Sequence, residues 1–157
     1  MESKIILQQL NDFIVKAKAA TYVGDGEKTE SCRDGSHDLK FQEGLFFYLD
    51  SYFGGTDFIG QEVVYYNDEP VWAMNYYGKI IEPQKISAAE TGQIIKESLS
   101  LMYREGRFLG GFEHATGNDV YTDTSQGDLE SFTGVEWIIR DNVKVYELLY
   151  HGGLIKP

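Results

Sequence analysis

Cysteine is almost absent from this 157-residue chain, where Cys32 stands alone. One thiol closes no intramolecular disulfide and supports no cysteine-rich zinc site, and this fits a reducing compartment. Positive charge is scarce as well. Fourteen Lys and Arg face 25 Asp and Glu, a formal net charge of −11. A surface this acidic repels phosphate backbones and anionic membranes, which speaks against both as partners. Histidine occurs only at His37, His114 and His151, with no spacing such as His-x-x-x-His, so neither a metal nor any other cofactor is expected. The acidic stretch Asp119, Asp123, Asp128 and Glu130 lacks the ligand spacing of a calcium loop and reads as a solvated hairpin. Long apolar runs are missing too. Leu45 to Leu49 is far shorter than the roughly 20 residues that span a bilayer. Met1-Glu2-Ser3-Lys4 opens straight into an amphipathic pattern without a signal-peptide layout, which predicts a cytoplasmic protein.

Aromatic residues are what the chain has in plenty: 11 Tyr, 9 Phe and 2 Trp. They favour strands, and Tyr adds a polar tip suited to a half-wet wall. The length fits one domain, residues 1–157. Ile6, Leu10, Phe13, Ala17 and Ala20 share a helical face, which predicts a helix over 3–20 with Ser3 as N-cap. Gly24-Asp25-Gly26 predicts a turn. Gly24 to Thr29 lacks the glycine-lysine spacing of a phosphate loop. Glu27 to His37 reads as a long polar loop. Strands are predicted over 38–42, 45–53, 58–66 and 71–81, the last two joined by a turn at Asn67-Asp68-Glu69-Pro70. Ser87-Ala88-Ala89-Glu90 is a capping box opening a helix over 88–105, with Gly106 as its stop. Further strands are predicted over 120–124, 129–140 and 143–151, with Gly134 as a bulge. No internal repeat is read from the sequence. The layout predicts an α+β fold: a largely antiparallel twisted sheet of about six to seven strands with two main helices packed on one face. The other face is expected to curl around a pocket.

Alternation places Tyr48, Asp50 and Tyr52 on one face of a strand. Glu62 lies on the next strand, and Trp72, Met74 and Tyr76 share a face on the third. Glu130, Phe132, Gly134 and Glu136 share another, as do Tyr146, Leu148 and Tyr150. Carboxylates turned toward a hollow are desolvated and their pKa values rise. Beside Tyr and Trp they suit a small polar or cationic molecule. The expected binding residues are therefore Tyr48, Asp50, Tyr52, Glu62, Trp72, Tyr76 and His151, in a non-catalytic binding or sensory domain. The alternative is a small acid–base enzyme, a hydrolase or isomerase, using Asp50 or Glu62 with His151. The bland reading leaves those acids on the wet face of each strand.

Several segments carry a family resemblance. They are Ala17 to Gly26, Ser31 to Leu39, Tyr48 to Gly55, Phe58 to Glu62, Pro70 to Gly78, Gly127-Asp128, Phe132-Thr133-Gly134 and Val145 to Gly153. Together they resemble a bacterial family of unknown function whose members occur alone or C-terminal to an Xre-type helix-turn-helix segment. The resemblance implies no activity and no catalytic residues. It draws attention to Tyr22, Asp25, His37, Asp38, Asn75 and the candidate residues above.

Overall fold

The computed structural model describes residues 2–23 and 27–157. The predicted turn at Gly24-Asp25-Gly26, and with it Asp25, lies outside the described residues. Helix α1 spans Glu2–Lys18 and passes into a π-helical turn over Ala19–Val23. The Thr21 hydroxyl donates to the Ala17 carbonyl at 2.7 Å, a back-bond that bends helices. Ser3 lies within α1 rather than capping it.

Nine strands follow, and this corrects the expected six to seven. They are β1 (Glu27–Thr29), β2 (His37–Glu43), β3 (Phe46–Gly54), β4 (Phe58–Tyr66), β5 (Glu69–Ile80), β6 (Phe112–Thr116), β7 (Asp119–Asp128), β8 (Ser131–Arg140) and β9 (Val143–Leu154). Helix α2 (Ala88–Arg104) separates β5 from β6. The two unforeseen strands, β1 and β6, are the edges of the single antiparallel sheet β1-β2-β3-β4-β5-β9-β8-β7-β6. Short edges are a common guard against aggregation, and three and five residues are too few to show a period.

The predicted loop over 27–37 is shortened by β1, and its remainder is tied down. The buried Asp38 carboxylate accepts the Cys32 backbone N–H at 3.0 Å and the hydroxyls of Ser36 and Ser51 at 2.8 Å each. Burial raises the Asp38 carboxyl, and these hydrogen bonds outweigh it, holding its pKa at about 2. Cys32 is exposed.

Helix α2 begins as its sequence says. Ser87 accepts the Glu90 N–H at 3.1 Å, and Glu90 accepts the Ser87 N–H at 3.2 Å. Both helices pack on the same sheet face. Phe13 of α1 stacks on Phe46, while Leu99, Met102 and Tyr103 of α2 share a cavity wall with Asp123, Glu136, Leu148 and Tyr150 of β7 to β9. Trp72, Phe108 and Phe132 form an aromatic group in the core between the layers. The cavity lies under the helices, not on the opposite face as the sequence led one to expect. Among the described residues no helix is long and apolar enough to cross a membrane.

The sheet is two copies of one plan. Each half is a 17-residue helix followed by a four-strand antiparallel meander, β2 to β5 and β6 to β9, joined where β5 pairs with β9. The last hairpin of each meander turns on two residues with positive φ, Asn67-Asp68 (49° and 65°) and Asp141-Asn142 (49° and 65°). Both meanders slip register at the matching place, Val64/Tyr65 and Ile138/Ile139. Tyr48-x-Asp50 returns as Tyr121-x-Asp123, Gly60-x-Glu62 as Gly134-x-Glu136, and Tyr76-x-Gly78 as Tyr150-x-Gly152. An internal duplication therefore replaces the reading of no repeat.

Gly134 is not a bulge. It sits in regular register opposite Tyr150, and an added Cβ would lie 1.9 Å from the Tyr150 ring. Gly60 faces Tyr76 in the same way, with a Cβ 2.4 Å from the phenol oxygen. Each glycine lets a tyrosine lie flat across the neighbouring strand and reach a carboxylate beyond it. Gly60→Ala and Gly134→Ala are expected to cost about 1–3 kcal/mol each, as overpacking does. Chemical denaturation checks this; two neutral substitutions would show that the phenols move aside freely.

Candidate functional site

Four buried carboxylates cluster on the inward face of the sheet, two from each half: Asp50 and Glu62, Asp123 and Glu136. Strand alternation aims them. Tyr48 and Asp50 point the same way on β3, and register sets Asp50 beside Glu62 on β4. On β7 and β8, Tyr121 and Asp123 do the same, with Asp123 beside Glu136.

Each carboxylate is held by phenols. In the first half Tyr48 donates to Glu62, and Tyr76 donates to Asp50 at 2.6 Å. In the second, Tyr121 donates to Glu136, and Tyr150 donates to Asp123 at 2.8 Å. The halves differ in one donor. Lys18, reaching in from α1, places its ammonium 2.8 and 3.0 Å from the two Glu62 oxygens and 3.2 Å from Met74 Sδ. In the second half a phenol takes that part: Tyr146, the counterpart of Trp72, donates to Glu136 at 3.0 Å.

Burial dominates the electrostatics. It lifts Asp50 to about 8, aided by the neighbouring Glu62 and opposed by the Tyr76 hydrogen bond and the Lys18 charge. It lifts Glu136 to about 7 and Asp123 to about 6, again against their phenol hydrogen bonds and the Lys18 charge. The phenols of Tyr48, Tyr121 and Tyr150 are pushed upward by burial and by the carboxylates they serve, so they remain donors.

A cavity of about 60 Å³ opens where the halves meet. Matched pairs line it from both sides: Glu62 with Glu136, Met74 with Leu148, Tyr76 with Tyr150. Lys18, Asp123, Phe108 and the α2 residues Leu99, Met102 and Tyr103 complete the wall. Pockets for drug-sized ligands run to about 300–1,000 Å³, so this space suits a small molecule or the head group of a longer one. Among the described residues no cluster of His, Cys, Asp and Glu is arranged to hold a metal ion.

Of the expected binding residues, Glu62 and Tyr76 line the cavity. Tyr48 and Asp50 stand behind them, Tyr48 bonded to Glu62 and Asp50 to Tyr76. Trp72 is buried, its indole N–H donating to the Leu129 carbonyl at 3.2 Å. Tyr52 is half-buried and packs on the His37 ring, with centroids 5.1 Å apart. His151 is misplaced by the sequence reading. It is exposed and follows the buried Tyr150, so alternation turns it to the outer face, opposite Asn75. It meets neither Asp50 nor Glu62, and the imidazole-assisted enzyme alternative loses its base.

The sequence reading missed Lys18, and it placed Asp123 in a solvated hairpin. Asp123 and Asp119 are both buried, the latter in an ion pair with Arg140 at 2.7 Å. The signal was present: Tyr-x-Asp recurs after 73 residues, and Gly-x-Glu and the late tyrosine after 74.

Fold and site together define an α+β domain of two fused meanders enclosing a buried carboxylate–phenol site. The family described as "Domain of unknown function (DUF5680)" matches residues 50–155, from Asp50 in β3 to just past the end of β9, and the chain belongs to it. No curated protein and no solved structure matches the chain.

Proposed function

We propose that this chain is a binding domain for a small polar or cationic molecule, held in the cavity between its two halves. The observation that carries the reading is the placement of three carboxylates, Glu62, Asp123 and Glu136, around one cavity that a single lysine enters. Burying like charges together is costly, and a protein gains nothing in stability from such a set over a packed apolar core. The cost makes sense where a guest supplies compensating charge or hydrogen bonds. In the resembled family such a domain can follow a helix-turn-helix segment, which suits a sensory use of the same cavity.

A thermal-shift screen of small amines, amides, polyols and amino acids tests the proposal. Ligands that bind the folded state raise the melting temperature with concentration. The expected hits lose their effect in Asp123→Asn and when Leu148→Phe fills the cavity. A panel without hits, or hits indifferent to both substitutions, would remove the cavity as the binding site.

A further inference from the structure

The duplication lets one half of the molecule interpret the other. In the first half, the carboxylate framed by Tyr48 and Asp50 takes a primary ammonium. Lys18 Nζ lies 2.8 Å from Glu62, with Phe108 at 5.4 Å and Trp72 at 6.0 Å from its charge. That arrangement, carboxylate oxygens on one side and ring faces on the other, recognises an ammonium by charge-assisted hydrogen bonds and cation–π attraction.

The second half repeats the carboxylates and phenols but not the lysine. Its own helix, α2, brings Leu99, Met102 and Tyr103 to the cavity, where α1 brings Lys18. None of the ion pairs among the described residues involves Asp123 or Glu136. The cavity also reaches deeper on this side: Asp123 lines it, while its counterpart Asp50 does not. So the half whose own helix supplies no ammonium is the half with two carboxylates on the cavity wall.

We infer that the cavity takes a small primary ammonium ion on Asp123 and Glu136, the second-half counterpart of the Lys18 ammonium on Glu62. This rests on the binding-domain reading and narrows its ligand to one chemical class. Three N–H donors distinguish the class. They match the oxygens of Asp123 and Glu136, as the Lys18 ammonium matches the two oxygens of Glu62. A quaternary ammonium carries the charge without the donors, and an alcohol of equal size carries a donor without the charge.

The test titrates the full chain with ethylammonium chloride by calorimetry, at constant ionic strength, beside ethanol and tetramethylammonium chloride. Ethylammonium is expected to bind saturably and at least tenfold more tightly than either comparison compound. Asp123→Asn with Glu136→Gln is expected to weaken it at least tenfold. In the unsubstituted chain, side-chain carboxyl ¹³C resonances of Asp123 and Glu136 are expected to move on titration, a readout that does not depend on the variant folding. Three results overturn the inference while leaving the binding domain intact: ethanol or tetramethylammonium binding as well as ethylammonium; the two carboxyl resonances standing still while others move; or other polar compounds binding the cavity when ethylammonium does not. If no compound of any class binds there, the broader reading falls with it.

Discussion

Lys18→Met is expected to destabilise the chain by about 3–5 kcal/mol, the largest loss from any single substitution in the site. Lys18 and Glu62 are both almost wholly buried, with side chains 7% and 8% exposed. Removing the ammonium leaves Glu62 facing the cavity with the Tyr48 phenol and no cation against it. The loss spreads further, because the Lys18 charge also opposes the burial penalties on Asp50, Asp123 and Glu136. Lys18→Met/Glu62→Gln is expected to recover most of the stability, since it removes the stranded charge and keeps an acceptor for Tyr48. Urea denaturation of the two variants beside the parent chain decides the point. A Lys18→Met chain within about 0.5 kcal/mol of the parent, the range of an ordinary surface change, would mean that the pair is not held in a dry interior.

That lysine shows where sequence reading stops. The apolar stripe Leu10, Phe13 and Ala17 was legible and is buried, but nothing in a helical period says that the next residue also turns inward. The π-helical turn after Lys18 changes the phase of the helix at that point, and no period forecasts it. Helix α2 was legible to within a residue because its ends carry their own chemistry, a capping box at Ser87 and Glu90 and a glycine at φ +77°. The alternation in β3 to β5 correctly sorted Tyr48, Asp50, Glu62 and Tyr76 onto shared faces. It could not tell which face was the core, since carboxylates ordinarily mark the wet one.

What joined the site was beyond local reading. Strand β5 pairs with β9, some 70 residues away in the chain, and only that pairing sets Glu62 and Glu136 around one cavity. The duplication behind it hides because the halves share few identities between their matched tyrosines, glycines and acids. Trp72 answers to Tyr146, Met74 to Leu148, and Tyr77 to His151. The last of these explains the misplaced histidine: Tyr77 and His151 are both exposed, outward neighbours of buried tyrosines. The residues that did persist, Tyr-x-Asp, Gly-x-Glu and Tyr-x-Gly, are those whose geometry the network needs. A glycine under Tyr76 and under Tyr150, and a phenol on each carboxylate, cannot be exchanged one at a time.

The same network dictates an unusual response to pH. Stability is expected to fall steadily from pH 5 to pH 8, where many proteins are near their best. In the unfolded chain a carboxyl titrates near 4. In the fold, burial raises Asp50 to about 8, Glu136 to about 7 and Asp123 to about 6. Between the unfolded and folded values the native state holds a proton that the unfolded state has released, so every increment of pH favours unfolding. Each contribution is complete below about pH 4 and gone above the folded value, at roughly 1.4 kcal/mol per pH unit in between. Asp38 works in the opposite sense, but its folded pKa of about 2 confines it to acid: it stabilises above about pH 4 and is lost as pH drops through 2. It leaves the range from 5 to 8 to the raised carboxyls. Asp50→Asn, which removes the widest of the three windows, is expected to flatten the decline above pH 7, where Asp123 and Glu136 have largely finished titrating. Urea midpoints at half-unit steps of pH, for the parent and for Asp50→Asn, provide the measurement. A parent midpoint that is level or climbs between pH 5 and pH 8 would mean that water reaches these carboxylates and that they ionise freely in the native state.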